Sequence, residues 1–150
     1  MMKFLFIPLL LAFNCFSAEK TQPDFSKILK SYDKLYNAYL KQNHDQVKKS
    51  AGSLLEEISQ VNDDNISKAL NFSKKKLEAI QRSSQLIDSY DALNIVSQAL
   101  FATAKKYSKL KGYSRYYCPM VKKYWMQPAQ MKKTNNPYAV KTMPHCGSKK

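Results

Sequence analysis

Two short runs near the C-terminus hold the residues best suited to chemistry: Cys118-Pro119-Met120 and Met143-Pro144-His145-Cys146. In each, a cysteine lies within three residues of a methionine, and a proline keeps the backbone extended. Thiolates and thioethers are soft donors that suit Cu(I) or Ag(I), and imidazole also accepts copper. Cys118, Met120, Met143 and Cys146, with His145 or Met126 as auxiliaries, form a candidate low-coordinate site. Zinc suits them less, because methionine is a poor zinc ligand and no third or fourth N or S ligand stands out. The competing chemistry is a Cys118–Cys146 disulfide. It would close a loop of 28 residues (146 − 118) and contribute about 3–4 kcal/mol in a chain-entropy account. The two states alternate with redox conditions, since an oxidised pair has no thiolates to offer.

Other constellations are thinner. Cys118 with His145 would pair a nucleophile with a base, but no carboxylate lies in the segment to orient the imidazole, and no enzyme activity is expected. His44 reads as a solvated turn residue. Asn62-Asp63-Asp64-Asn65 has neither the spacing nor the closing glutamate of a calcium loop. With Gly 3 in the whole chain, there is no glycine-rich phosphate loop. The formal net charge is +14, concentrated late: no Asp or Glu follows Asp91, whereas Lys105, Lys106, Lys109, Lys111, Arg115, Lys122, Lys123, Lys132, Lys133, Lys141, Lys149 and Lys150 do. Nothing matches a nucleic-acid-binding module. The excess fits a solvated basic surface, or docking to an acidic protein partner or an anionic envelope surface.

The elements that must position these residues begin with an export signal. Lys3, the apolar run from Phe4 to Phe13 and a short polar stretch to Ala18 predict a cleavable signal over 1–17 and a periplasmic mature chain, 18–150. Lipidation at Cys15 is the alternative, disfavoured because Phe13 and Asn14 are not the small residues that such processing prefers. Cleavage leaves an even pair of cysteines in an oxidising compartment. No later apolar run is long enough to span a bilayer.

From Asp24 the periodicity is helical. Phe25, Ile28, Leu29, Tyr32, Leu35, Tyr36, Tyr39 and Leu40 share one face, with Pro23 and Asp24 suited to the helix start. Val47, Ala51, Leu54, Leu55 and Ile58 make a second stripe, and Ile66, Ala69, Leu70, Ser73, Leu77 and Ile80 a third, its start capped by Asp64 or Asn65. Ser83 and Ser84 open a fourth segment with Leu86, Tyr90, Leu93, Ser97, Leu100 and Ala104. Short connections between four helices predict an all-α fold, an antiparallel four-helix bundle over 24–107. The remainder, 108–150, shows no sustained period. Its aromatics predict an irregular segment packed back on the bundle.

The ordered series Tyr117-Cys118-Pro119-Met120, Trp125, Asn136-Pro137-Tyr138, Met143 and Cys146-Gly147 resembles an uncharacterised periplasmic helical domain family. That family occurs alone or at the C-termini of adaptor (membrane fusion) proteins of copper- and silver-type heavy-metal efflux pumps. Its members carry Tyr-Cys-Pro-Met, a nearby Trp, then Asn-Pro-Tyr, an aromatic, Gly, two variable residues, Met, two more, and Cys-Gly. The helical stretch here is similar in length and pattern, so the resemblance covers nearly all of the mature chain. Ala139 and Val140 depart from it, standing where the family has an aromatic and a glycine; a tight turn at that glycine would be strained by Val140. The resemblance implies a copper- or silver-binding accessory role beside heavy-metal efflux components and no enzyme activity. Cys118, Met120, Met143 and Cys146 would be ligands, His145 and Met126 auxiliaries, and Trp125 the shield. The alternative is a disulfide-stapled interaction module with a basic aromatic face.

Overall fold

The computed structural model describes residues 25–107 and 109–150. The expected signal, Cys15, the start at Ala18 and the roles of Pro23 and Asp24 lie outside the described residues. Among the described residues four α-helices follow the apolar stripes: α1 (Phe25–Leu40), α2 (His44–Ser59), α3 (Asp64–Arg82) and α4 (Tyr90–Lys106). Each packs on the next. Most stripe residues are buried, with Tyr32, Leu35, Tyr36, Leu54, Leu70, Leu77 and Leu93 at zero exposure, while Leu40, Leu55, Leu86 and Tyr90 are half-buried and Ala69, expected on the inner face of α3, is exposed. No described helix is long and apolar enough to cross a membrane.

The turns use local side chains. Gln42 takes a left-handed conformation (φ 52°), and Asn43 caps α2 by accepting the Gln46 N–H at 2.9 Å. His44 opens α2, half-buried, with Nε2 3.0 Å from Ser83 Oγ. Asp63, not Asp64 or Asn65, caps α3. Its extended backbone (φ −82°, ψ 117°) lets Oδ1 accept the N–H groups of Asn65 and Ile66. Ser83 closes α3 instead of opening the fourth helix. Asp88 accepts the Gln85 N–H at 2.9 Å, and a 3₁₀ turn over Ile87–Ser89 delays α4 until Tyr90.

The all-α expectation is wrong for 108–150. Three strands, β1 (Tyr113–Cys118), β2 (Lys123–Pro128) and β3 (Ser148–Lys149), form an antiparallel sheet in the order β2-β1-β3. Residues 119–122 make the β1–β2 hairpin loop, in which Lys122 takes φ 53°. Aromatic residues favour this pairing: Tyr116 stacks across the ladder on Trp125 at 5.8 Å and Tyr117 meets Tyr124 at 4.5 Å. The polar–apolar alternation that marks a half-buried sheet is missing because protein covers both faces. One face, with Tyr116, Cys118, Trp125 and Gln127, lies under residues 129–147; the other, with Tyr113, Arg115, Tyr124 and Met126, meets α1 and α4.

The sheet stands with its β2 edge in the opening between α1 and α4. An open edge exposes N–H and C=O groups that must find partners. Here Asn94 Oδ1 accepts the Tyr124 N–H at 2.8 Å and Tyr138 Oη donates to the Tyr124 carbonyl at 2.5 Å. Tyr32 Oη accepts the Met126 N–H at 3.0 Å and lies 2.8 Å from Ser97 Oγ. Lys123 pairs with Asp91. With Phe101, whose ring lies under the Arg115 guanidinium of β1, residues 91, 94, 97 and 101 form one line of α4 facing the sheet. Burial pushes the hydroxyl pKa values of Tyr32, Tyr36 and Tyr39 well above the ordinary tyrosine value, which keeps them neutral donors.

Candidate functional site

The strap over 129–147 brings the two chemistry-bearing runs together. Buried Gln127 is its anchor: Oε1 accepts from Trp125 Nε1 (3.3 Å) and the Asn135 N–H (3.1 Å), and Nε2 donates to the Lys133 carbonyl at 2.9 Å. Asn136, also buried, accepts the Tyr138 N–H on Oδ1 at 3.0 Å, while its own N–H donates to the Pro144 carbonyl at 2.8 Å. Pro137 and Tyr138 follow it into the interior, and the Tyr138 ring meets Trp125 edge-on at 6.1 Å. Val140 is free of the feared strain, since its φ is not positive.

At the end of this path Cys146 bonds to Cys118, with Cα atoms 5.5 Å apart. Cys118 is fully buried at the end of β1 and Cys146 half-buried. Trp125 lies on the same sheet face as Cys118, and its ring underlies Gly147, the residue after Cys146. Tyr117 faces the opposite way, toward Tyr124. Pro119 and Met120 are exposed in the hairpin loop, Met120 at 69%.

The other expected ligands divide. Met143 is half-buried, and its carbonyl accepts the Cys146 N–H at 3.1 Å. His145 is exposed, with Nδ1 2.7 Å from the Thr134 carbonyl. A carbonyl can only accept, so Nδ1 carries a proton, and in the neutral ring the lone pair lies on Nε2. Met126 does not join them. It pairs with Arg115 whereas Cys118 pairs with Lys123, and that odd offset sends Met126 to the opposite face, fully buried. Among the described residues no three His, Cys, Asp or Glu side chains converge on one point.

Gln127, Asn94, Tyr32 and Arg115 were not legible as positioning residues. The one signal was Arg115, a cation inside an aromatic run with no carboxylate following Asp91. Comparison with family models, with curated proteins and with solved structures finds no match to this chain.

Proposed function

We propose that the protein is a non-enzymatic, exported accessory protein that takes up a soft monovalent cation, Cu(I) or Ag(I), when its cysteines are reduced, and rests as the disulfide otherwise. The observation that carries this is the pre-positioned sulfur pair, Cys118 and Cys146, with Cα atoms 5.5 Å apart. Once reduced, two such thiolates suit the low coordination number of Cu(I). Met143 and the free Nε2 of His145 flank Cys146 as further donors, and Met120 flanks Cys118. These donors fit a soft cation carried as cargo; Met126 is not among them. The resemblance to the domain of copper- and silver-type efflux adaptors supports the same reading, and heavy-metal efflux components are the proposed partners. A disulfide between the only cysteines outside the expected signal supports an oxidising, periplasmic location.

The test is competition for Cu(I) between a chelator and the reduced protein, run beside a Cys118→Ala, Cys146→Ala double variant. Reduced wild-type protein should win copper that the double variant cannot. Equal affinity would remove the proposal. A second reading is favoured by the bonded state itself: a disulfide-stapled module whose basic face binds an acidic protein partner or an anionic envelope surface. Copper affinity equal to the variant's, together with a disulfide that persists in protein taken from the periplasm, would support it.

A further inference from the structure

Among the described residues Arg115 is a half-buried cation without an anion. Its guanidinium carbon lies 4.9 Å from the centre of the Phe101 ring and 5.0 Å from that of Tyr124. Those contacts engage its charge and flat surface and leave its N–H groups unused. Nε is buried with no hydrogen-bond partner, and among the described residues the side chain forms no ion pair. Removing a cation from water without a carboxylate to meet it is costly. A folded surface that tolerates this is one where the partner comes from outside.

The surroundings agree. Arg115 lines a recess of about 480 Å³ with Phe101, Ala102, Lys105 and Lys106. Lys105 lies one helical turn beyond Phe101 on the line of α4 that faces the sheet. Asp91, the last acidic residue of the chain, is committed to Lys123 at the other end of that line. The recess therefore combines a planar guanidinium, the ammonium groups of Lys105 and Lys106, the latter 5.3 Å from the centre of the Tyr107 ring, and an apolar wall. A guanidinium edge with two ammonium groups matches a multiply charged tetrahedral oxyanion, and Phe101 with Ala102 would seat the body attached to it.

We propose that this recess binds a phosphate group, either free or carried by a lipid headgroup. The inference is independent of metal binding and gives the second functional reading a definite ligand chemistry. The Arg115 Nε–H and Ala102 N–H resonances report on it in the protein with its disulfide intact. Inorganic phosphate, titrated against chloride at constant ionic strength, should move both resonances saturably. In a Lys105→Gln, Lys106→Gln variant, whose exposed side chains leave the fold intact, the affinity should fall about tenfold. Vesicles of phosphatidylcholine with phosphatidic acid, whose phosphomonoester can carry two charges, form the second arm, compared with phosphatidylcholine alone. If only the mixed vesicles produce the shifts, and the variant loses them, the site stands with a lipid-borne phosphate. No saturable shift in either arm overturns it. So does binding that survives the double variant undiminished, which would leave the broader anionic-surface reading in place but move it off this recess.

Discussion

Gly147 lies against Trp125 so closely that no side chain fits between them: a Cβ on Gly147 would overlap ring atom Cη2 and stand 3.2 Å from Cζ2. Its backbone, at φ +140°, is also one that L-residues rarely adopt. The glycine is therefore required twice, for conformation and for contact, directly beside the cysteine that closes the strap. Gly147→Ala should destabilise the fold by about 2–4 kcal/mol, combining backbone strain with overpacking. Gly112 has φ +77° but open space where a Cβ would stand, so Gly112→Ala should cost only about 1–2 kcal/mol. Urea unfolding followed by the fluorescence of Trp125, the single tryptophan, measures both. Equal losses would mean that the Trp125 contact is unimportant.

The disulfide should be stable and hard to reach. Closing a separation of 28 residues stabilises the fold by about 3–4 kcal/mol in the chain-entropy account. Cys118 has no exposed surface, so attack by an external thiol must begin at half-buried Cys146 or wait for local opening. A Cys118→Ser, Cys146→Ser variant should unfold at correspondingly lower urea. Intact protein should give up its disulfide to dithiothreitol faster as urea is added, read by mass after alkylation. Reduction at the same rate with and without urea would contradict this protection.

Asp33 gives the fold a pH dependence of definite sign. Its Oδ2 accepts from Tyr113 Oη at 2.6 Å, while Oδ1 is buried without a partner. Burial raises its pKa above the ordinary 3.8, outweighing the lowering effect of the Tyr113 hydrogen bond. The folded state then holds the proton more tightly than the unfolded one. This group's contribution is fully present below the ordinary value and is lost as pH rises from 3.8 through the raised folded value. Asp33→Asn keeps an acceptor for Tyr113 and removes the charge. It should be more stable than wild type at neutral pH and should flatten the stability profile in that acidic window. Chemical denaturation at a series of pH values shows it, and an unchanged profile would count against this assignment.

How much of this was legible from the residues differs by region. The helices announced themselves because each keeps one wet face: Lys74, Glu78 and Arg82 line the outside of α3 while Leu70, Leu77 and Ile80 line the inside. The sheet did not, because Tyr116 and Trp125 are covered by the strap while Arg115 and Tyr124 are covered by α4, which erases the period-two pattern. The same blindness misplaced Met126. As a sequence neighbour of Trp125 it looks available to Cys118, but the register puts it through the sheet on the other side. Cys118 and Cys146 were identified by type as a pair, while only their positions could show them bonded.

Tyr32 tests whether the edge of β2 depends on α1. Its hydroxyl accepts the Met126 N–H at 3.0 Å and sits 2.8 Å from Ser97 Oγ, all three residues being essentially solvent-free. Tyr32→Phe preserves the ring and deletes the acceptor, leaving a buried N–H unpaired. It should destabilise the fold by about 1–3 kcal/mol, and hydrogen exchange at the Met126 amide should accelerate. Wild-type exchange in the variant would show that the edge is protected by burial alone.

Gln127 carries the last dependence, because it joins the sheet to the strap that delivers Cys146. Gln127→Leu has similar volume but strands the Trp125 Nε1–H and the Asn135 N–H, which now bond to the amide, and leaves the Lys133 carbonyl only its longer bond from Asn135 Nδ2 at 3.4 Å. Of these, the Trp125 donor is the most deeply buried and should cost most. The one helical side chain bonded to Gln127, Tyr36 of α1 at 3.4 Å, has a shorter bond to the Asn135 carbonyl at 2.8 Å, so the far-ultraviolet helical signal should persist. The strap should loosen: Cys146 should become reducible by dithiothreitol without urea, and Trp125 emission should shift to the red as water reaches its ring. A variant whose disulfide resists reduction as well as wild type would show that the Cys118–Cys146 bond, rather than Gln127, holds the strap in place.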